Sequence, residues 1–201
     1  MSSELSTPML VIVMGVSGCG KSTLAEALAK ALGFSYIDAD AIHPKSNVDK
    51  MSAGIPLTDA DRDPWLKLVR AAAEHAVAEQ QSDPDHSRRR GAVVACSALK
   101  RYYRDILRGT RHPETLKAPV DPPNPEALPT YFVYIKGDRT LLEQRMSLRR
   151  NHFMKASMLD SQLATLESPE GEDGVAVVPL DASTDEQVAL AMQQLMEFSG
   201  S

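Results

Sequence analysis

The sequence has few cysteines, no excess of basic residues and no apolar run long enough to cross a membrane. Its only two cysteines, Cys19 and Cys96, do not suggest a disulfide framework. The sequence has 22 basic and 27 acidic residues, and the resulting net charge of −5 argues against a general nucleic-acid binder. The apolar run at residues 9–14 is too short to span a bilayer, and the residues before it lack the charged n-region of a secretory signal. We therefore expect a cytoplasmic protein without membrane or nucleic-acid partners.

A glycine-rich stretch near the N terminus carries the strongest functional signal. Residues 15–22, GVSGCGKS, fit the pattern G-x-x-x-x-G-K-[ST] between a short apolar strand and a helical pattern that begins at Thr23. A strand, a glycine loop and a helix in this order form the phosphate loop of proteins that bind nucleoside triphosphates. Lys21 should reach the β- and γ-phosphates of ATP, and the Ser22 hydroxyl should ligate Mg²⁺. The nucleotide contacts expected from this stretch are Gly15, Val16, Ser17, Gly18, Cys19, Gly20, Lys21, Ser22 and Thr23.

Strands alternate with helices along the rest of the chain, which predicts an α/β fold with a parallel sheet and right-handed crossovers. We treat residues 1–8 as a flexible tail and residues 9–201 as one domain, because this length suits a single core. Residues 111–130 contain six prolines and cannot form a regular element, so they are expected to be an insert within that domain. The expected strands are 9–14, 34–38, 92–96, 131–135 and 175–180.

Two aspartates lie at the end of the second predicted strand, at the edge where open parallel sheets bind their ligands. Asp38 and Asp40 are spaced i, i+2 and can face one site if the strand breaks up there. Beside a phosphate loop, one carboxylate can hold Mg²⁺ through its water shell and the other can accept a proton from a hydroxyl. We assign Asp38, with Ser22, to the metal and Asp40 to the proton. A helix cap or a turn is the alternative role for either residue.

Taken together, these motifs resemble the gluconokinases of the small phosphate-loop type, which are related in fold to shikimate and adenylate kinases. The phosphate loop alone is shared by many NTPases, whereas the combination of DADAIHP, DRDPW and CSALKRYYRD is far more specific. The matching stretches are MGVSGCGKS (14–22), DADAIHP (38–44), NVDKMSAGIPLTDADRDPW (47–65), CSALKRYYRD (96–105), YIKGD (134–138) and RNHFMKASMLDSQLATLE (150–167).

The resemblance implies a three-layer P-loop kinase fold with a five-stranded parallel sheet in the order 2-3-1-4-5. It places an acceptor-binding region at residues 41–80 and a lid at residues 145–165. It also implies phosphorylation of D-gluconate at the 6-hydroxyl by ATP, with Mg²⁺ as cofactor, feeding the pentose phosphate pathway. Another small-molecule or nucleotide kinase, or an NTP-dependent switch that transfers no phosphate, is the alternative. A homodimer is left open as the assembly.

The acceptor side of such an enzyme must bind a carboxylate, which needs cationic donors. The alternative for Arg62 is an ion pair with a nearby aspartate, Asp59, Asp61 or Asp63. For Arg101 and Arg104 the alternative is an ordinary exposed position on a short helix. The candidate substrate-binding residues are Asp40, His43, Arg62, Lys100, Arg101 and Arg104.

A second group of cations follows the fourth predicted strand. In similar kinases the first arginine of this helix packs on adenine, and lid arginines reach the phosphates. The resemblance therefore assigns Arg145 to the nucleotide, and it assigns Arg149 and Arg150, with Lys21, to catalysis. Arginines that close on the transferring group would stabilise the charge that its oxygens carry in the transition state. A solvated basic helix face is the alternative.

Overall fold

The computed structural model describes residues 8–81, 90–110, 128–147 and 156–199. Its strands are β1 (Met9–Met14), β2 (Ser35–Asp38), β3 (Gly91–Ala95), β4 (Thr130–Lys136) and β5 (Val175–Pro179). They form one parallel sheet in the order β2-β3-β1-β4-β5, which confirms the predicted order.

Helices connect the strands and cover both faces of the sheet. They are α1 (Lys21–Leu32), a 3₁₀-helix (Ala39–Ile42), α2 (Lys45–Ser52), α3 (Asp59–Gln81), α4 (Arg101–Arg108), α5 (Arg139–Ser147), α6 (Ala156–Thr165) and α7 (Thr184–Ser199). No helix in the described ranges is long and apolar enough to cross a bilayer. Most of the predicted proline-rich insert, and the lid residues Arg149 and Arg150, lie outside the described residues.

The central strand β1 is buried along its whole length, because helices cover both faces of the sheet. Residues 9, 11 and 13 pack into an apolar cluster with α1 and α7. Residues 10, 12 and 14 pack into a second cluster with α3 and α4 on the other face. This alternation produces the three layers, and it leaves the strand ends as the place where loops can meet a ligand.

The register of the sheet brings the carboxyl ends of three strands to one level. Val13 of β1 lies opposite Ala95 of β3, and Asp38 at the end of β2 also pairs with Ala95. The segments at the ends of these strands are the phosphate loop (residues 15–22), the aspartate segment (residues 38–40) and the CSALK segment (residues 96–100). All three therefore emerge side by side at the same edge of the sheet.

The start of α3 is fixed by reciprocal hydrogen bonds. The Thr58 N–H donates to Asp61 Oδ2 at 2.9 Å, and the Asp61 N–H donates to Thr58 Oγ1 at 3.3 Å, as in a capping box. Lys50 of α2 donates to Asp61 Oδ1 at 2.6 Å, and this bond, followed by those from Thr58, holds the pKa of Asp61 well below its usual range. Asp61 thus ties α2 to α3 in the predicted acceptor region.

Trp65 anchors α3 to the segment that leaves β2, as expected for a core residue. Its side chain is only 3% exposed, and its Nε1–H donates to the buried carbonyl of Ala39 at 2.8 Å. Ala39 lies between the two aspartates of the DAD sequence. Trp65 therefore helps to fix the backbone that carries both carboxylates.

Trp65→Phe should lower the free energy of unfolding by about 1–3 kcal/mol, because the Ala39 carbonyl would stay buried without its donor. Urea unfolding followed by circular dichroism measures this change. The control is Leu68→Ala on the same helix, where a side chain that is 48% exposed should contribute less than about 0.5 kcal/mol. Equal losses in the two variants would contradict the anchoring role of the indole N–H.

Candidate active site

The loop between β1 and α1 has the backbone that the motif predicts. Gly15 and Gly20 have φ angles of +143° and +96°, in a region that residues with side chains rarely adopt. A Cβ atom on Gly15 would lie 2.9 Å from Cys19 Sγ and 3.3 Å from the carbonyl oxygen of Ile135. Cys19 itself is buried beneath the loop as a small filling residue. The loop therefore needs glycine at both positions to lead into the N terminus of α1, where backbone N–H groups can bind an anion.

Lys21 and Ser22 end the phosphate-loop motif and are the first two residues of α1. The Lys21 ammonium donates to the carbonyl of Val16 at 3.0 Å, so the side chain folds back over the loop. Ser22 shares a hydrogen bond with the Tyr36 hydroxyl. Burial, and then the nearby Asp38 carboxylate, raise the pKa of the Tyr36 phenol. Ser22 therefore lies near the end of β2, the side on which a metal partner was predicted.

The two aspartates adopt different roles at the end of β2. Asp38 caps the 3₁₀-helix, because its Oδ1 accepts the Asp40 N–H at 3.0 Å. The Asp40 carboxylate is 85% exposed at the edge of the sheet. Burial raises the pKa of the Cys96 thiol to about 12, and the charges of Asp40, Lys21 and Asp38 also act on it. The buried Cys96 thiol therefore stays protonated and is not a candidate nucleophile.

A magnesium site at this edge would depend on the nucleotide. Within residues 8–81, 90–110, 128–147 and 156–199, no three His, Cys, Asp or Glu side chains gather to hold a metal on their own. Mg²⁺ is commonly held by one or two protein oxygens together with substrate phosphates and water. The Ser22 hydroxyl and the Asp38 carboxylate fit that kind of site.

His43 lies in a site that fixes its tautomer. Asn47 Nδ2 lies 3.3 Å from His43 Nδ1 and donates to the Asp61 carbonyl at 2.9 Å, so it is a donor to both. The proton of the neutral ring is then on Nε2, which lies 4.0 Å from Asp40 Oδ1. The ring stacks on Trp65 at 4.0 Å, and burial lowers the pKa of His43. His43 therefore presents an N–H donor beside the Asp40 carboxylate.

Arg62 does not form the ion pair that was its alternative role. Its Nη1 donates to the carbonyl of Leu57 at 2.5 Å and lies 3.4 Å from the Tyr103 hydroxyl. The three aspartates offered as partners instead pair with lysines: Asp59 with Lys100, Asp61 with Lys50 and Asp63 with Lys67. The guanidinium of Arg62 thus has hydrogen bonds to neutral groups and is suited to receive an anion.

Lys100 belongs to a cluster that joins the first turns of α3 and α4. Its ammonium lies 2.7 Å from Asp59, and the Tyr103 O–H donates to Asp59 Oδ1 at 2.5 Å. Lys100, followed by Tyr103, holds the pKa of Asp59 down, while burial and then the bond to Asp59 raise that of Tyr103 to about 12. Asp59 and Tyr103 were not among the predicted site residues. Both lie in the quoted motifs, but sequence spacing does not show that these two helix starts meet.

The prediction for Arg104 was wrong. Its side chain is fully buried, with Nη1 donating to the carbonyls of Ala98 and Leu99 at 3.0 and 3.2 Å. Nε and Nη2 donate to the two oxygens of Glu172 at 3.1 and 2.5 Å, so no part of the guanidinium can reach a ligand. Ala98 has a φ angle of +44°, which is unfavourable for alanine. Arg104 therefore holds the turn that leads to Lys100 and does not bind substrate.

Of the remaining predicted cations, the structure describes Arg101 and Arg145. Arg101 is exposed on the first turn of α4 and stays a candidate. Arg145 Nη1 lies 4.0 Å from where a Cβ atom on Gly20 would be, so the guanidinium lies over the end of the phosphate loop. Arg145 therefore stays a candidate for a nucleotide contact. Arg149 and Arg150 fall outside the described residues, and their roles stay predictions.

One contact to the phosphate loop was not anticipated. Gln162 of α6 accepts the Ser17 N–H at 2.6 Å, across a separation of 145 residues in the chain. Glutamine has no titratable group and belongs to no nucleotide-binding pattern, so its place in the predicted lid was the only signal for this contact. The structure adds it to the groups that surround the loop.

Comparisons with known proteins agree with this fold. The family model described as AAA domain matches residues 10–169. A gluconokinase of Gluconobacter oxydans (strain 621H) is 45% identical over 168 residues, which cover 84% of this chain and 80% of that protein. The crystal structure of a gluconokinase from Sinorhizobium meliloti 1021 has a TM-score of 0.74 at 41% identity, covering 96% of this chain and 94% of that chain. The APS kinase CysC of Mycobacterium tuberculosis has a TM-score of 0.59 at 19% identity, covers 94% of this chain and 98% of its own, and shares the fold.

Arg104→Ala should lower the free energy of unfolding by about 3–5 kcal/mol, because it removes one of the two arginines that neutralise Glu172 and leaves the carbonyls of Ala98 and Leu99 without their donor. Burial opposes ionisation of Glu172, yet Arg104 and Arg108 outweigh it and hold its pKa below the usual value. Urea unfolding measures the loss. Arg101→Ala, on the exposed face of the same helix turn, is the matched control. Equal stability of the two variants would contradict the supporting role of Arg104.

Proposed function

The chain belongs to the gluconokinase family, and from this premise we propose how its residues transfer the γ-phosphoryl group of ATP to the 6-hydroxyl of D-gluconate. The observation that carries the proposal is the meeting of two sites at one sheet edge. The phosphate loop after β1 supplies donors for the nucleotide, and the segments after β2 and β3 supply a carboxylate and cations for an anionic acceptor. The products are ADP and 6-phospho-D-gluconate. We further propose a cytoplasmic location and leave a homodimer open as the assembly.

On the nucleotide side, the proposal gives each group one task. The loop N–H groups bind the phosphates, and Lys21 exchanges its bond to the Val16 carbonyl for the β- and γ-phosphate oxygens. The Ser22 hydroxyl and Asp38 would hold Mg²⁺, which neutralises charge on the transferring group when it is bound. Arg145 contacts the nucleotide from above Gly20. Arg149 and Arg150 are proposed to stabilise the transition state.

On the acceptor side, Asp40 takes the proton of the 6-hydroxyl as its oxygen attacks phosphorus. Its exposed carboxylate is open to a bound sugar acid, and His43 supplies an N–H donor 4.0 Å from it. This donor can orient the carboxylate or the hydroxyl, and burial, which lowers the pKa of His43, favours the neutral ring for that role. The two residues therefore act together while only Asp40 accepts the proton.

The gluconate carboxylate is proposed to bind Arg62, with Lys100 and Arg101 nearby. Arg62 is favoured because its present hydrogen bonds go to a carbonyl and a hydroxyl, which leave its positive charge available. Lys100 already contacts Asp59, so its share in substrate binding requires that bond to loosen.

The substrate assignment is tested by coupled ADP release with Mg-ATP and a panel of acceptors. D-Gluconate should raise the rate far above that with water alone. Glucose should not, because it has no carboxylate for Arg62. A nucleoside monophosphate as the preferred acceptor would contradict the substrate assignment while leaving a kinase. A slow hydrolysis that no acceptor changes would instead indicate a nucleotide-dependent switch.

The roles of the two aspartates are tested by Asp40→Asn and Asp38→Asn, which are matched in shape. Asp40→Asn should lower kcat by roughly two to four decades, the usual range for loss of a general base, with ATP affinity near that of the wild type. Asp38→Asn should raise the Mg²⁺ concentration needed for half-maximal rate. The 3₁₀-helix should persist, because asparagine caps helices about as well as aspartate. Identical Mg²⁺ titrations of the two variants would contradict the division of roles.

A further inference from the structure

Helix α6 touches the phosphate loop through the side chain of Gln162. The Ser17 N–H donates to Gln162 Oε1 at 2.6 Å, in a partly buried position. A backbone N–H can only donate, so the amide oxygen and not the amide nitrogen must face it. The contact therefore places a neutral acceptor inside the loop that binds anions.

Other contacts hold α6 in the position that makes this bond. Before Gln162, Asp160 pairs with Arg139 of α5 at 3.0 Å. After the helix, the Glu167 N–H donates to the carbonyl of Leu99 at 2.9 Å. The helix is thus attached to the body of the protein on both sides of Gln162, and the amide reaches the loop from a fixed register.

An amide oxygen and a phosphate oxygen compete for this donor. Ser17 lies within the loop whose N–H groups converge on a phosphate, and one N–H cannot make a short, straight bond to two acceptors. A triphosphate that uses the Ser17 N–H must therefore displace Gln162. A phosphate carries charge and forms the stronger bond, so the exchange favours the nucleotide.

We propose that Gln162 is a positioning residue that occupies the phosphate loop of the nucleotide-free enzyme and is displaced by the triphosphate. The displacement removes one of the contacts between α6 and the rest of the protein, so nucleotide binding at the loop is coupled to this helix. The inference depends on the proposed function only in taking ATP as the nucleotide. It predicts that the side chain at position 162 sets nucleotide affinity through competition.

Two substitutions at this position should change affinity in opposite directions. Gln162→Leu keeps a similar size but cannot accept the Ser17 N–H, so the empty loop has an unsatisfied donor and a non-hydrolysable ATP analogue should bind about fivefold tighter. Gln162→Glu accepts the same N–H more strongly and repels the triphosphate, so the analogue should bind about tenfold more weakly. Raising the salt concentration should shrink the effect of the glutamate.

The experiment measures dissociation constants of the Mg²⁺ complex of this analogue by isothermal titration calorimetry, using the full chain at low and high salt. Gln193→Leu and Gln193→Glu on the exposed face of α7 make the same chemical changes away from the loop, and they should alter the affinity by less than about twofold. Gln162→Ala replaces the leucine variant if the latter fails to fold. Opposite shifts at position 162 beside unchanged controls support the inference.

Weaker binding in both Gln162 variants would overturn the inference, since it would make Gln162 a direct contact of the bound nucleotide. Affinities equal to those of the Gln193 controls would overturn it as well, because the bond would then not compete in solution. Gluconate-stimulated ADP release by the wild-type chain is measured separately. A failure of the proposed substrate therefore does not alter the result for Gln162, and a failure of Gln162 does not alter the substrate.

Discussion

Burial of β1 on both faces determines where every functional group of this protein can lie. A strand covered by helices on each side can offer polar groups only beyond its ends, and its parallel neighbours β3 and β4 must end at the same edge. The phosphate loop follows β1 directly, and the aspartate segment and the CSALK segment emerge beside it. Nucleotide and acceptor groups are therefore neighbours in space although they are far apart in sequence.

The acceptor side also depends on buried side chains that stabilise the turn after β3, because this turn has an unfavourable backbone conformation. Ala98 has a φ angle of +44°, and the carbonyls of Ala98 and Leu99 both accept from the buried Arg104. Glu172 then neutralises that arginine from the segment after α6. A charged pair inside the protein thus fixes the place of Lys100 on the surface, without contact between the pair and any ligand.

Sequence reasoning was most successful where function depends on backbone geometry. The bounds of β1, the sheet order and the glycine positions were predicted correctly, because hydrophobic runs and the need for a positive φ are local properties. It failed where function depends on pairing between distant side chains. Arg101 and Arg104 look alike on a short helix, yet one is exposed and the other fully buried. The contact of Asp59 with Tyr103 and that of Gln162 with Ser17 depend on how helices and loops pack together. The spacing of residues in the sequence does not show such packing.

The pairing of Asp59 with Lys100 has a consequence for selectivity. This lysine has an internal counter-ion 2.7 Å away. A sugar acid that reaches Lys100 exchanges one carboxylate for another, and such an exchange changes the local charge balance little. Discrimination between acidic and neutral sugars then depends mainly on Arg62, whose hydrogen bonds go to neutral oxygens. Under the proposed function, Lys100 would exchange one carboxylate for another, whereas Arg62 would be the group that distinguishes a charged acceptor from a neutral one.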